Sequence, residues 1–168
     1  MIPTRAGDRC FRFSGIVIPW RAGRPRGAGG TPPGSARPLG SARLTRIKIR
    51  RIDDGKPKYA EAYSDRPLIY PDPAVIRPGW PLIICEGEFD CMLLAQQLPE
   101  ASVITLGSAS VRTDLAVLSR MLSSPRWFIA LDADPAGDSA ATKFPASAIR
   151  VRPPDPDKDW GRSPRGGS

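Results

Sequence analysis

Two acids one residue apart, Asp132 and Asp134, close the apolar run of "WFIALDADPAGDSAA" (127–141) just before the chain turns through Pro and Gly. Upstream, "IICEGEFD" sets Glu86 and Asp90 behind another apolar run. Carboxylates that converge repel one another and take up protons unless a cation offsets them. The chain has no histidine, and Cys10, Cys85 and Cys91 offer no pair at metal-ligand spacing, so a zinc finger or ribbon is excluded. A hard, oxygen-bound ion remains, Mg²⁺ or Mn²⁺, which keeps waters and accepts phosphate oxygens. Each acid also has a purely structural use. An Asp at a strand end caps the following helix, and Glu88 and Asp90 suit a helix N-terminus.

The elements that must position these acids read clearly from residue 81 onward. "PLIICEG", "ASVITLG", "RWFIALDAD" and "AIRVRPP" are short apolar strands, separated by the helical segments "EFDCMLLAQQL", "RTDLAVLSRMLSS" and "AGDSAATKF". Unbroken apolar strands alternating with helices make βαβ units around a parallel sheet, so residues 79–154 are expected to form a four-stranded α/β domain. Ligands of such sheets sit at the carboxyl ends of the strands, where Glu86, Asp132 and Asp134 fall. The third strand is expected to run through "DAD", and residues i and i+2 of a strand point to one side, so Asp132 and Asp134 can face a common point.

The first half reads differently. "FRFSGIVIPW" (11–20) is expected to be a strand ending at Pro19. The stretch 21–43, rich in Arg, Gly and Pro, has almost no large apolar side chain and is expected to be a mobile basic loop. "LTRIKIRRI" (44–52) alternates with period two: Leu44, Arg46, Lys48 and Arg50 on a cationic face, Thr45, Ile47, Ile49 and Arg51 on the other. "KPKYAEAYSDRPLIYPDP" then reads as loop, and the Pro and Gly of "IRPGWP" (76–81) place a boundary there. The expected division is a basic β-rich subdomain over 1–78, an α/β domain over 79–154 and an acidic remnant with a flexible tail over 155–168.

A formal charge of +8 and a pI near 10.0 favour polyanion partners, nucleic acid or nucleotides first. No apolar run reaches membrane-spanning length and no signal-peptide pattern opens the chain, so a cytoplasmic protein with no membrane partner is expected.

These motifs resemble the Toprim domain shared by bacterial-type primases, topoisomerases, OLD-type nucleases and RecR repair proteins. "IICEGEFDCMLLAQQL" matches its first element, "FIALDADPAGDSAA" its second, and "VITLGSAS" the strand between, over about residues 80–152. "EGEFD" is similar to the E-G-x-x-D form of the DnaG-type and phage or plasmid primases, and "GIVIPW", the basic strand and "KPKY" are similar to their basic N-terminal subdomain. The resemblance implies a Rossmann-type four-stranded parallel sheet with flanking helices, preceded by that small β-rich subdomain.

It further implies Mg²⁺-dependent (or Mn²⁺-dependent) nucleotidyl transfer making RNA primers on single-stranded DNA from nucleoside triphosphates. Glu86 would act as general base or water-positioning group, assisted by Asp90, while Asp132 and Asp134, with Glu86, would hold the metal. Arg50 or Arg51 and Lys58 would contact template or nucleotide, and Asp159 in "KDW" resembles a late acidic motif, with Gly161 where a second late acid is usual. The family's zinc-binding module, helicase partner and following helical subdomain are not seen in the sequence. A fragment or degenerate copy is then expected, served by a separate zinc-binding module or a replicative helicase. The alternatives are a non-catalytic nucleic-acid-binding Toprim module and a Toprim-type nuclease. A topoisomerase would need a catalytic Tyr in a separate domain, and a D-x-D phosphatase a different motif context.

Overall fold

The computed structural model describes residues 14–23, 42–65, 69–107 and 113–162. They divide into two units, Met1–Pro67 and Leu68–Ser168.

The first unit is an antiparallel sheet of β1 (Gly15–Gly23), β2 (Ala42–Arg51) and β3 (Tyr59–Ser64), in the order β1-β2-β3. β1 does not stop at Pro19. It lies at the sheet edge, where a residue without an N–H is tolerated, and continues through a bulge at Trp20/Arg21 to Gly23. The expected loop is correspondingly shorter at both ends, and its residues 24–41 lie outside the described residues. β3 forms within "KPKYAEAYSDRP", which reads as loop in the sequence because its prolines mask a six-residue strand.

The cationic and apolar faces of β2 also behave differently from the simple alternation. Lys48 pairs across the sheet with Ile18 and Arg46 with Trp20, and both β1 partners are buried, whereas Val17 is 59% exposed. Arg46 and Lys48 stack over the Trp20 ring at 4.7 and 5.4 Å, and Lys48 and Arg50 over Tyr59 at 5.3 and 5.2 Å. Long cationic stems that cover aromatic rings can therefore line a buried face while their charged heads stay hydrated.

The second unit is a parallel sheet of β4 (Leu82–Cys85), β5 (Ser102–Thr105), β6 (Trp127–Ala130) and β7 (Ile149–Arg150), in the order β5-β4-β6-β7. The connecting helices are α1 (Glu88–Gln97), α2 (Leu115–Leu122) and α3 (Pro135–Ala141). Every residue of β4 and β5 is buried, as continuous apolar strands covered on both faces should be. The core gathers Leu82, Ile84, Ile104, Val117, Met121, Ile129 and Leu131. Ile69 and Ile76 join it from upstream of the Pro and Gly punctuation, and Tyr70 exchanges two backbone bonds with Thr105, at 2.9 and 3.0 Å. Cys85 and Cys91 are buried, unbridged thiols that donate to the carbonyls of Ile104 and Val103 at 3.3 and 3.5 Å. No helix among the described residues is long and apolar enough to cross a membrane.

The strand order has a direct consequence for function. From β4 the chain leaves through α1 to β5 on one side, while from adjacent β6 it leaves through α3 to β7 on the other. The connections diverge, opening a crevice at the carboxyl ends of β4 and β6, where open α/β sheets bind ligands.

The Ile104→Ala variant, which empties a fully buried position of β5, is expected to lose about 2–5 kcal/mol in urea-monitored unfolding, and a loss below about 1 kcal/mol would contradict this core.

Candidate functional site

Cys85 and Ala130 end β4 and β6 in register, so the residues that follow them emerge side by side in the crevice. Glu86 follows Cys85 directly, and its carbonyl accepts the Thr105 hydroxyl at 2.6 Å while that hydroxyl accepts the Gly107 N–H at 2.9 Å. A fully buried threonine of the neighbouring strand thus fixes the backbone at which Glu86 leaves the sheet. Gly87 is the N-cap of α1 and Asp90 lies in the first turn. A Cβ on Gly87 would stand 3.0 Å from the Asp90 carboxylate. Without it, Asp90 reaches back to the Gly87 backbone in the manner of a capping box.

β6 ends at Ala130, so Asp132 and Asp134 lie beyond the strand and strand alternation does not set their directions. Asp134 instead caps α3, accepting the Gly137 N–H at 2.8 Å through Oδ1. Pro135 supplies the preset first helical residue. Gly137 is required for packing, because a Cβ there would meet the Asp132 carbonyl oxygen at 2.2 Å. "DADPAG" is thus a tight strand-to-helix joint that presents Asp132.

The late segment closes the site. The Trp160 indole N–H donates to the Ala130 carbonyl at 2.8 Å, and the Ala133 N–H to the Lys158 carbonyl at 2.8 Å. Between these anchors stands Asp159. The electrostatics show which acids meet: burial and then Glu86, Asp90, Asp159 and Asp134 push the Asp132 carboxyl up to about 6. Asp90 is raised for the same reasons, burial first and then Asp159 and Glu86, partly offset by the Gly87 backbone. All five acids singled out in the sequence share one electrostatic neighbourhood. As they stand, no three acidic or thiol side chains among the described residues are grouped to hold one ion.

Residues 83–161 match the family model described as Toprim-like. This segment is similar to Toprim-like domains. The chain is similar in fold to a chain of the bacteriophage T7 lagging-strand DNA polymerase complex with primase domains of two gp4 subunits bound to an RNA/DNA hybrid and dTTP. There the TM-score is 0.52 at 20% identity, covering 69% of this chain and 61% of that one. This chain is likewise similar in fold to a DNA primase domain from Pseudomonas aeruginosa (TM-score 0.50, 21% identity, 69% and 41% covered) and to the DnaG catalytic core (0.52, 16%, 69% and 43%). In sequence, the Gene 57 protein of Mycobacterium phage D29 is 44% identical over 46 residues, 27% of this chain and 30% of that protein. The chain therefore spans less than two thirds of each of these relatives. At these identities the solved structures establish a shared fold. The Toprim-like segment includes all five acids, Glu86 through Asp159.

The basic residues expected to touch nucleic acid belong to the first unit. Arg50 donates to the Tyr59 hydroxyl at 2.8 Å, Arg51 pairs with Asp53 at 2.6 and 2.9 Å, and Lys58 is exposed. The sequence reading did not single out Arg150 or Trp160, whose side chains hold the Toprim-like strand end. Their signal was faint: one Arg inside the last short strand, and a Trp beside the late acid.

The sign of the Asp132 shift makes a stability prediction. A carboxyl raised from 3.8 to about 6 stabilises the fold when protonated, fully below about pH 4, and that contribution is lost as pH rises through about 6. In chelator at pH 7, Asp132→Asn should therefore be more stable than the native chain by on the order of 1 kcal/mol, solvent screening having reduced the effect at this half-open side chain. The advantage should vanish by pH 4. A variant less stable at pH 7, or equally advantaged at both pH values, would contradict the repulsion.

Proposed function

We propose that this chain carries a primase-type nucleotidyl-transfer site, making RNA primers on single-stranded DNA with Mg²⁺ or Mn²⁺. The observation that carries the reading is the gathering of Glu86, Asp90, Asp134 and Asp159 around the Asp132 carboxyl, which burial and these neighbours push up to about 6. Such a set costs stability in itself and suits a divalent cation. The donors are all oxygen acids with no imidazole among them, which fits Mg²⁺ chemistry.

Asp132 and Asp134, with Glu86, would hold the ion; Asp134 does so while Oδ1 caps α3, since its second oxygen is not used by the cap. When bound, Mg²⁺ supplies charge neutralisation at the triphosphate and at the entering and leaving oxygens. The residues themselves do the rest. Glu86, exposed at the crevice mouth, accepts the proton of the attacking 3′-hydroxyl. Asp90 and Asp159 extend the negative field that retains the cation. Arg50 and Lys58 of the first unit bind the nucleic-acid backbone, and Arg51 joins them when it leaves Asp53. A separate zinc-binding module or a replicative helicase would be the partner of this site.

The test is incorporation of labelled nucleoside triphosphates on single-stranded DNA with Mg²⁺. Glu86→Ala and Asp132→Ala should each lower incorporation by at least about 100-fold, while salt-sensitive DNA binding persists. Retained DNA binding with no Mg²⁺-dependent product from the native chain, alone or with a helicase added, would instead identify a non-catalytic nucleic-acid-binding module.

A further inference from the structure

Beyond Ala130 the β6 backbone leaves the sheet, and nothing in a strand ladder obliges the next residues to hold one shape. Yet four consecutive carbonyls, of Ile129, Ala130, Leu131 and Asp132, all accept hydrogen bonds from side chains. Arg150 supplies three of them: Nη1 donates to Ile129 at 3.1 Å and to Leu131 at 2.8 Å, and Nη2 to Asp132 at 2.7 Å. Nη1 also meets the Val151 carbonyl at 2.8 Å, and Nη2 the Asp138 carboxylate at 3.3 Å. The remaining carbonyl, of Ala130, is taken by Trp160 at 2.8 Å.

A planar guanidinium can bridge several acceptors at once in a fixed fork, which an ammonium cannot. Its donors are aimed at main-chain oxygens on both sides of the strand end, and the last carbonyl they reach is that of Asp132 itself. Asp138, on the first turn of α3, pairs with both Arg150 and Arg152, so one acid ties the guanidinium to the helix that follows the site.

We propose that Arg150 is a positioning residue: by clasping the carbonyls of Ile129, Leu131 and Asp132 it fixes the backbone from which the Asp132 carboxylate reaches the metal. The role rests on the metal-site reading proposed above. It acts through geometry and not through its charge, and Trp160 contributes the one carbonyl that Arg150 leaves.

Mn²⁺ binding to the full chain, followed by calorimetry and by the paramagnetic signal of the free ion, tests this without any need for turnover. Four variants discriminate the possibilities: Arg150→Lys keeps the charge but not the fork, Asp138→Asn removes the ion pair but not the carbonyl bonds, Trp160→Phe deletes a single donor, and Asp132→Asn removes the carboxylate. With folding checked by near-ultraviolet circular dichroism, Arg150→Lys should weaken Mn²⁺ binding by about 10-fold or more, as loss of a group orienting a metal ligand does. Trp160→Phe should weaken it by about threefold, one hydrogen bond's worth. Asp138→Asn should bind as the native chain does.

Equal Mn²⁺ affinity in the native and Arg150→Lys chains would overturn the positioning role while leaving the metal site standing. So would an Asp138→Asn chain weakened as much as Arg150→Lys, because charge and not the clasp would then govern. Should Arg150→Lys fail to fold, unchanged affinity in Trp160→Phe overturns the clasp. A native chain that binds no Mn²⁺, or binds it no better than Asp132→Asn, overturns the metal reading and the clasp with it.

Discussion

Like charges brought together at the edge of a low-dielectric sheet are the constraint on which this protein turns. Asp132 is partly buried, and the repulsion of four other acids adds to that desolvation, so its carboxyl holds a proton well above the ordinary range. In a small domain, whose net stability is only several kcal/mol, such an arrangement is a substantial load. It persists because the surrounding backbone is over-determined. Thr105 fixes the exit of Glu86, Gly87 makes room for Asp90, Gly137 admits the Asp132 carbonyl, and Arg150 and Trp160 hold the end of β6.

The same constraint explains why the acids come from three separate parts of the chain. A parallel sheet with order β5-β4-β6-β7 places the ends of β4 and β6 side by side while their helices depart in opposite directions. Glu86 and Asp132 need no long loops to meet, since register alone brings them together. Asp159 arrives by another route, carried on a segment with little regular structure that is pinned to β6 by an indole and to Ala133 beyond it by a backbone hydrogen bond. Order in that segment is thus tied to the site itself.

Much of this was legible in the residues. The alternation of short apolar runs with helical segments specified the four-stranded parallel sheet, because strands covered on both faces must be apolar throughout. "EGEFD" marked the end of β4, whereas β6 stops at Ala130, short of the "DAD" through which the third strand was expected to run. The directions of the two aspartates were not legible, because they depend on where β6 stops, and the carbonyls at that end are taken by Arg150 and Trp160, some twenty and thirty residues on. The helix-capping use of Asp134, one of the two readings open from sequence, is the one its Oδ1 adopts. In the first unit, β3 was hidden by flanking prolines, and the buried position of Trp20 beneath Arg46 could not follow from alternation, which assigns cations to water. Arg150 escaped notice because its partners are main-chain carbonyls, which leave no pattern in side-chain types.

The central claim, that mutual repulsion among these five carboxylates is what a divalent ion relieves, is tested most directly by carbon-detected nuclear magnetic resonance titration of the Asp and Glu carboxyls, with and without Mg²⁺. Without the ion, the Asp132 resonance should titrate near pH 6. With it, the midpoint should fall well below the ordinary aspartate range, since a bound cation favours the charged form. An Asp132 midpoint near 4 that Mg²⁺ leaves unmoved would contradict both the repulsion and its relief.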